Sequence, residues 1–163
     1  MTRWTNDKQW ADRFLPEIKG ILGEHLISEP PIEEDAERNT DLMVFRLDAI
    51  RIACRVRKHQ YLSRYGDEFT IRAGRPNGVK TELTKIIEGW GDYFFYGFSD
   101  ENEEKLSRWL LGDLDAFRLY LNRQLVRNNG CLPGTERQNS DNSSRFRTFK
   151  YEEIPGFIVA CKV

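Results

Sequence analysis

The most regular pattern of apolar and polar positions lies in the second quarter of the chain. Over residues 50–58, isoleucine, cysteine and valine alternate with arginine and alanine. A period of two is typical of a strand that buries one face. The other face carries three arginines, Arg51, Arg55 and Arg57, which we call the arginine stripe. We therefore predict a half-buried strand whose polar face is strongly cationic.

Two further strands accompany this one in the predicted order. Residues 40–47, TDLMVFRL, are nearly continuously apolar, as expected of a strand that is buried on both faces. Residues 67–73, DEFTIRA, again alternate, with Phe69 and Ile71 on the inward face. Short polar connections link the three segments. We therefore predict a three-stranded antiparallel meander with the arginine stripe at its centre.

Helical periodicity occurs on both sides of the predicted meander. Residues 1–28 predict two short helices or one kinked helix, because Pro16 is tolerated only in a first helical turn. Residues 79–90 predict another helix, and Asp113 is placed to cap a last helix that runs to about Val126. The apolar side of the helix at residues 79–90 consists of Leu83, Ile86, Ile87 and Trp90.

The remaining segments complete an α/β pattern. Residues 92–98, DYFFYGF, and residues 106–111, LSRWLL, predict two more strands. Residues 128–145 are polar and rich in turn formers, which predicts a flexible loop, and the tail returns to strand-like patterns. We predict a single α/β domain with a mixed, mostly antiparallel sheet of four to five strands, flanked by three to four helices.

Composition is that of a globular protein. The chain has 163 residues, of which 39% are hydrophobic and 31% charged, enough to bury one core without a metal or a disulfide. No apolar run approaches the roughly 20 residues of a membrane span, and the start has no signal-like run. We expect a cytoplasmic protein of the host cell with no membrane partner. Three cysteines without CxxC spacing are interpreted as structural thiols.

The net charge of −1 conceals a basic segment. Residues 38–80 contain ten lysines and arginines against four acids, an excess of six positive charges. Such a concentration is typical of a protein with a polyanionic partner. Equally, a basic surface can balance acidic neighbours within the same fold, and both interpretations stay open.

Four short motifs carry a resemblance to a known family. They are Asn39-Thr40-Asp41, Arg55-Val56-Arg57, EFTIR at residues 68–72 and TELTKI at residues 81–86. With the order helix, meander, helix, strand, helix, the chain resembles the PD-(D/E)XK, or restriction-endonuclease-like, superfamily over about residues 16–120. It resembles most the small phage- and prophage-encoded members. The resemblance implies a restriction-endonuclease-like fold and nuclease chemistry supported by Mg²⁺.

The resemblance also implies roles for individual residues. Asp41 takes the place of the metal-binding aspartate, with Glu37 or Glu34 as a further ligand of Mg²⁺. Arg55 stands where a second metal-binding acid is expected, and Arg57 where a lysine is expected. A guanidinium repels Mg²⁺, so either another carboxylate substitutes or hydrolysis has been lost. The substitute carboxylates are Glu68 and Glu82.

The arginine stripe favours binding over cleavage. Side chains on one face of a strand lie about 6.6 Å apart, a spacing that a phosphate backbone can follow. The alternative is that the arginines pair with Asp41, Glu82 or Glu88 beneath the helix. The candidate phosphate-binding residues are Arg51, Arg55, Arg57 and Arg72. The candidate catalytic residues are Asp41, Arg57, Glu82 and Lys85.

These patterns predict a nucleic-acid-binding or nucleic-acid-processing protein with a modified metal site. It would need no cofactor if inactive, and Mg²⁺ if hydrolysis is retained. One alternative is an active Mg²⁺-dependent nuclease. The other is a phage-encoded inhibitor or adaptor of a host protein, in which the acidic residues 33–37 and 100–104 mimic nucleic acid.

Overall fold

The structure is a computed structural model that describes residues 3–28, 43–44, 50–139 and 141–162. Its helices, in chain order, are α1 (Arg3–Asp12), α2 (Leu15–Leu26), α3 (Leu62–Tyr65), α4 (Glu82–Ile87) and α5 (Leu114–Arg127). Its strands are β1 (Ile27–Ser28), β2 (Met43–Val44), β3 (Ile52–Arg57), β4 (Glu68–Gly74), β5 (Tyr93–Ser99), β6 (Leu106–Asp113), β7 (Thr135–Gln138), β8 (Arg145–Lys150) and β9 (Ile158–Lys162).

The long strands form two sheets. The first has the order β3-β5-β6-β9, in which β3 and β5 are parallel and the other two pairs are antiparallel. The second is antiparallel and has the order β4-β8-β7, while β1 and β2 form a separate short pair. The predicted α/β class, with a mixed, mostly antiparallel four-stranded sheet, is confirmed. A restriction-endonuclease-like arrangement stays a prediction.

The core lies on both faces of the four-stranded sheet, because β5 is apolar on both. Phe94 and Tyr96 of β5 pack with Phe69 of β4, together with apolar side chains of α4, α5 and β8. Phe95 points the other way and packs with Phe14 beside α2. The N-terminal helices therefore cover one face of this sheet, and the second sheet with α4 and α5 covers the other.

The predicted meander is wrong. Strands β3 and β4 belong to different sheets, and the neighbour of β3 is the parallel strand β5. The physical reason is burial, since β5 is almost entirely buried and takes an inner position, whereas β3 is only partly buried. Of the predicted strand at residues 40–47, only Met43–Val44 lies within the described residues, and it pairs with Ile27–Ser28.

Two other local predictions need correction. Helix α4 ends at Ile87, so Ile87 and Trp90 are exposed rather than on a buried face. Residues 128–145 are not a loop throughout, because Thr135–Gln138 forms a strand that pairs with β8. That strand has no apolar alternation, which is why the pattern of the sequence does not reveal it.

Several sequence features occur as expected. Pro16 is the second residue of α2, and the Asp113 carboxylate accepts hydrogen bonds from the first turn of α5. In the part of the chain that the structure describes, no helix is long and apolar enough to cross a membrane. Cys54, Cys131 and Cys161 form no disulfide, and all three are exposed rather than part of the core.

Candidate functional site

A polar seam lies between the two sheets, and it contains most of the arginine stripe. We define the seam as Arg55, Arg57, Thr70, Glu82 and Tyr96. Arg55 donates from Nη2 to Glu82 Oε2 at 2.5 Å and from Nη1 to the Thr70 carbonyl oxygen at 3.1 Å. Arg57 donates from Nη1 to Thr70 Oγ1 at 2.9 Å, and the Tyr96 hydroxyl lies 3.3 Å from the same oxygen.

The seam arginines have partners within the fold, but only Arg55 has a carboxylate among them. Glu82 Oε2 also accepts from the backbone N–H of Arg72 at 3.1 Å, and the side chains of Arg55 and Glu82 are about one quarter exposed. The guanidinium of Arg57 lies 4.6 Å from the centre of the Tyr61 ring. The alternative that the stripe pairs with Glu82 is confirmed for Arg55. Two of the three stripe arginines are thus held between structural elements.

A groove of about 520 Å³ opens beside the seam, between β3 and α4. We call it the cationic groove. Its lining cations are Arg51, Arg55, Arg72, Arg75, Lys80 and Lys85. Of the described residues that line it, only Glu82 is acidic, so six positive charges face one negative charge. The groove therefore concentrates positive charge in a concave surface, where low-dielectric walls strengthen the field.

Two of the groove cations are already neutralised. Arg55 pairs with Glu82, and Lys80 donates to both carboxylate oxygens of Glu88, at 2.7 and 2.9 Å. The other four form no ion pair with a carboxylate in the described ranges. They are Arg51, Arg72, Arg75 and Lys85. Within the described part of the chain, the fold therefore supplies no ion-pair partner to four of the six groove cations.

The electrostatics of Arg72 reflect this excess of positive charge. Burial lowers the pKa of Arg72, and the neighbouring Arg75 and Arg55 lower that pKa further. Glu82 partly offsets the effect. Because like charges crowd at this point, a bound anion would relieve the repulsion and favour its own binding.

The described residues do not fit a Mg²⁺ site. Glu82 is engaged by Arg55, and a guanidinium beside it disfavours a divalent cation. Glu68 begins β4 four residues before Arg72, which places it about 13 Å along the strand. Among the described residues, no three histidines, cysteines or acids form a potential metal cluster. The predicted ligands Asp41, Glu37 and Glu34 lie outside the described residues.

Residues 100–104, one of the two acidic segments predicted to mimic nucleic acid, make contacts within the fold. Glu103 accepts from Trp10 Nε1 at 2.6 Å and from Lys58 Nζ at 2.9 Å. These two hydrogen bonds hold the pKa of Glu103 below its usual value. Asp100 accepts from the backbone N–H groups of Glu104 and Lys105, which closes the turn. The acidic segment at residues 33–37 lies outside the described residues.

Sequence reasoning finds part of the groove and misses the rest. Arg51, Arg72 and Lys85 are predicted and lie in it, whereas Arg57 is predicted and does not. Arg75 and Lys80 are predicted only as part of the basic segment 38–80, and Trp90 is predicted on the apolar side of a helix; all three line the groove. One available signal is the placement of Trp90 between two glycines, which indicates a turn beyond the helix rather than a buried position.

Comparisons with known proteins do not reveal a relative. No protein-family model matches the chain, and no curated protein or solved structure is significantly similar to it. The likeness to the PD-(D/E)XK superfamily therefore stays a prediction. The function has to be inferred from the groove itself.

Proposed function

We propose that the protein binds nucleic acid through the cationic groove. The observation that carries this proposal is the set of four groove cations without a described carboxylate partner, Arg51, Arg72, Arg75 and Lys85. Phosphate oxygens accept strong, charge-assisted hydrogen bonds from such groups. The planar guanidinium of arginine suits two-point contact with phosphate, and the flexible ammonium of lysine adds a point charge.

The proposed phosphate contacts differ from the arginine stripe. Arg51 is common to both sets, and its backbone is fixed beside the groove because its N–H donates to Asp92 Oδ2 at 2.7 Å. Arg55 lines the groove, but its guanidinium already binds Glu82 and Thr70. Arg57 contacts Thr70 and Tyr61 instead. We assign Arg55 and Arg57 to holding the sheets together, not to binding phosphate.

Binding without an assigned cleavage step is the function that the described residues support best. Nuclease activity would require metal ligands, and Asp41 and Glu37 stay predictions for that role. Its direct test is incubation of labelled DNA and RNA with Mg²⁺ or Mn²⁺, comparing the natural chain with Asp41→Ala. Cleavage that Asp41→Ala removes would add hydrolysis to the binding role, whereas cleavage that persists would not involve this residue.

The proposal is tested by measuring how oligonucleotide affinity depends on salt. Fluorescence anisotropy with a labelled oligonucleotide should show binding that weakens steeply between about 50 and about 200 mM salt. The triple variant Arg72→Ala, Arg75→Ala, Lys85→Ala should bind about 100-fold more weakly. Its salt slope should fall by about 2, since each phosphate contact to a single strand contributes about 0.7.

A matched control removes three charges elsewhere. Arg123, Arg127 and Lys162 are exposed and lie outside the groove. Their replacement by alanine lowers the net charge by the same amount, so it should reduce the affinity only about 2- to 3-fold, through the overall field. Equal loss of binding in both triple variants would contradict a role for the groove. Urea unfolding of each variant verifies that the fold is retained.

A further inference from the structure

An exposed tryptophan stands at the edge of the cationic groove. Trp90 is 61% exposed, and it lines the groove together with Lys85 and Arg51. Large aromatic side chains are usually buried to a high degree, because their exposure leaves a large apolar area in water. An exposed indole beside cations that form no ion pair with a described acid is therefore a candidate contact for a ligand.

The backbone that carries Trp90 is held firmly. Arg118 of α5 donates from Nε to the carbonyl oxygen of Ile86 at 2.8 Å. Its Nη2 donates to the carbonyl oxygens of Trp90 at 2.9 Å and Gly91 at 2.6 Å. Gly89 has a φ of 93° and Gly91 a φ of 84°, values that favour glycine. The turn thus fixes the backbone of Trp90 at the groove edge before any ligand binds, which lowers the entropy cost of binding.

The groove continues beyond Arg72 and Arg75. These two arginines also line a second concave surface of about 600 Å³, which extends to the turn between β7 and β8. Asn139, Ser143 and Ser144 contribute polar groups there. Asp7 and Asp141 line it as well, so its charge is more balanced than that of the cationic groove. The two concavities therefore meet at Arg72 and Arg75, and Trp90 lines the first of them.

The combination of a cationic groove and an exposed aromatic ring fits a single strand better than a duplex. In a duplex the faces of the bases are stacked on one another and cannot reach an indole. A single strand exposes every base face, and aromatic side chains in a basic groove bind it by stacking. A site that contacts phosphates alone would not require an exposed indole beside its cations.

We infer that the groove takes single-stranded nucleic acid, with phosphates on its cations and one base stacked on Trp90. The strand continues past Arg72 and Arg75 toward the turn between β7 and β8. This inference rests on the proposed function and adds the class of nucleic acid and the residue that recognises a base.

The test compares single- and double-stranded ligands with variants of Trp90. A labelled oligothymidine should bind at least about 10-fold more tightly than a hairpin duplex of equal charge. Trp90→Ala should weaken oligothymidine binding about 10-fold, within the range for loss of one stacked base, and leave the salt slope unchanged because no charge is removed. Trp90→Phe should retain most of the affinity. Val126→Ala, a change of an exposed apolar residue on α5, should have no effect.

The outcomes separate the inference from the proposed function. Equal affinity for the single strand and the duplex, or full affinity in Trp90→Ala, overturns the single-strand inference. In either case the triple variant Arg72→Ala, Arg75→Ala, Lys85→Ala still tests whether the groove binds nucleic acid. If polyglutamate competes as well as oligothymidine at equal charge, the groove recognises an acidic protein, and both statements are overturned. Absence of salt-dependent binding to either nucleic acid overturns the proposed function and the inference with it.

Discussion

The polar seam and the cationic groove share β3, β4 and α4, yet their charges have opposite surroundings. In the seam, Arg55 and Arg57 point between the sheets and each donates to Thr70. In the groove, Arg72 and Arg75 crowd one another, and Arg72 has a lowered pKa because of burial and like charge. The two adjacent regions therefore differ in whether the described residues supply hydrogen-bond acceptors to the guanidinium groups of their arginines.

This difference shows how to distinguish a structural arginine from a binding arginine. A guanidinium that donates to a carboxylate and a carbonyl has few donors left for a ligand, as in Arg55. One that lines a concave surface and forms no ion pair with a described acid, as Arg75 does, is a better candidate for binding phosphate. Mutations in the seam should therefore act mainly on stability, and mutations in the groove mainly on binding.

The largest effect on folding is expected from Arg55→Met. The change leaves the Glu82 carboxylate and the Thr70 carbonyl oxygen without a donor from Arg55. We expect the free energy of unfolding to fall by about 2 kcal/mol, less than for a fully buried pair because both side chains are about one quarter exposed. Urea unfolding measures the change. A second change, Glu82→Gln, should recover part of the loss, and a loss below about 0.5 kcal/mol would contradict a structural seam.

A smaller loss of stability is expected from Thr70→Val. Thr70 is buried, and its hydroxyl oxygen accepts from Arg57 and lies near the Tyr96 hydroxyl. Valine retains the shape but not the oxygen, so we expect unfolding to be easier by about 1 to 2 kcal/mol. Thermal unfolding, with Thr70→Ser as the control that keeps the hydroxyl, measures this. Oligonucleotide affinity should not change, and a loss of affinity in Thr70→Val would place the seam within the binding site.

The smallest effect is expected from Glu88→Gln, and it should be a gain in binding. Glu88 neutralises Lys80 through an exposed ion pair, so its removal frees one more cation in the groove. We expect oligonucleotide affinity at low salt to rise about 2- to 3-fold and stability to change by less than about 0.5 kcal/mol. Anisotropy at two salt concentrations measures the gain. The matched variant Glu136→Gln, outside the groove, should give a smaller gain; an equal gain would mean that only net charge matters.

The sequence predicts individual elements more reliably than their arrangement. The apolar, aromatic sequence of β5 and the position of Asp113 before a helical pattern are local signals, so both elements can be predicted without knowing their distant contacts. The pairing of β3 with β5 instead depends on long-range burial, which periodicity alone does not specify. For the same reason, the two-residue period finds the cationic face of β3 but not the partners that Arg55 and Arg57 meet there.

The sequence predicts a groove residue only where the pattern of a single helix or strand determines its position. Lys85 and Arg72 are recognisable because each lies on a periodic segment near other charges. Arg75 and Trp90 lie just beyond β4 and α4, where the backbone direction is set by turns and by the contacts of Arg118 with the carbonyl oxygens of Trp90 and Gly91. No local pattern specifies such a contact between segments distant in the sequence.

The most direct test of the division between seam and groove is a titration of the arginine side chains by nuclear magnetic resonance. The Nε–Hε signals are followed while oligothymidine is added to the uniformly ¹⁵N-labelled protein. We predict that the signals of Arg51, Arg72 and Arg75 shift progressively and saturate together, whereas those of Arg55 and Arg57 stay in place. Shifts of Arg55 and Arg57 with no response from Arg72 and Arg75 would contradict the account, because the arginine stripe would then be the binding surface.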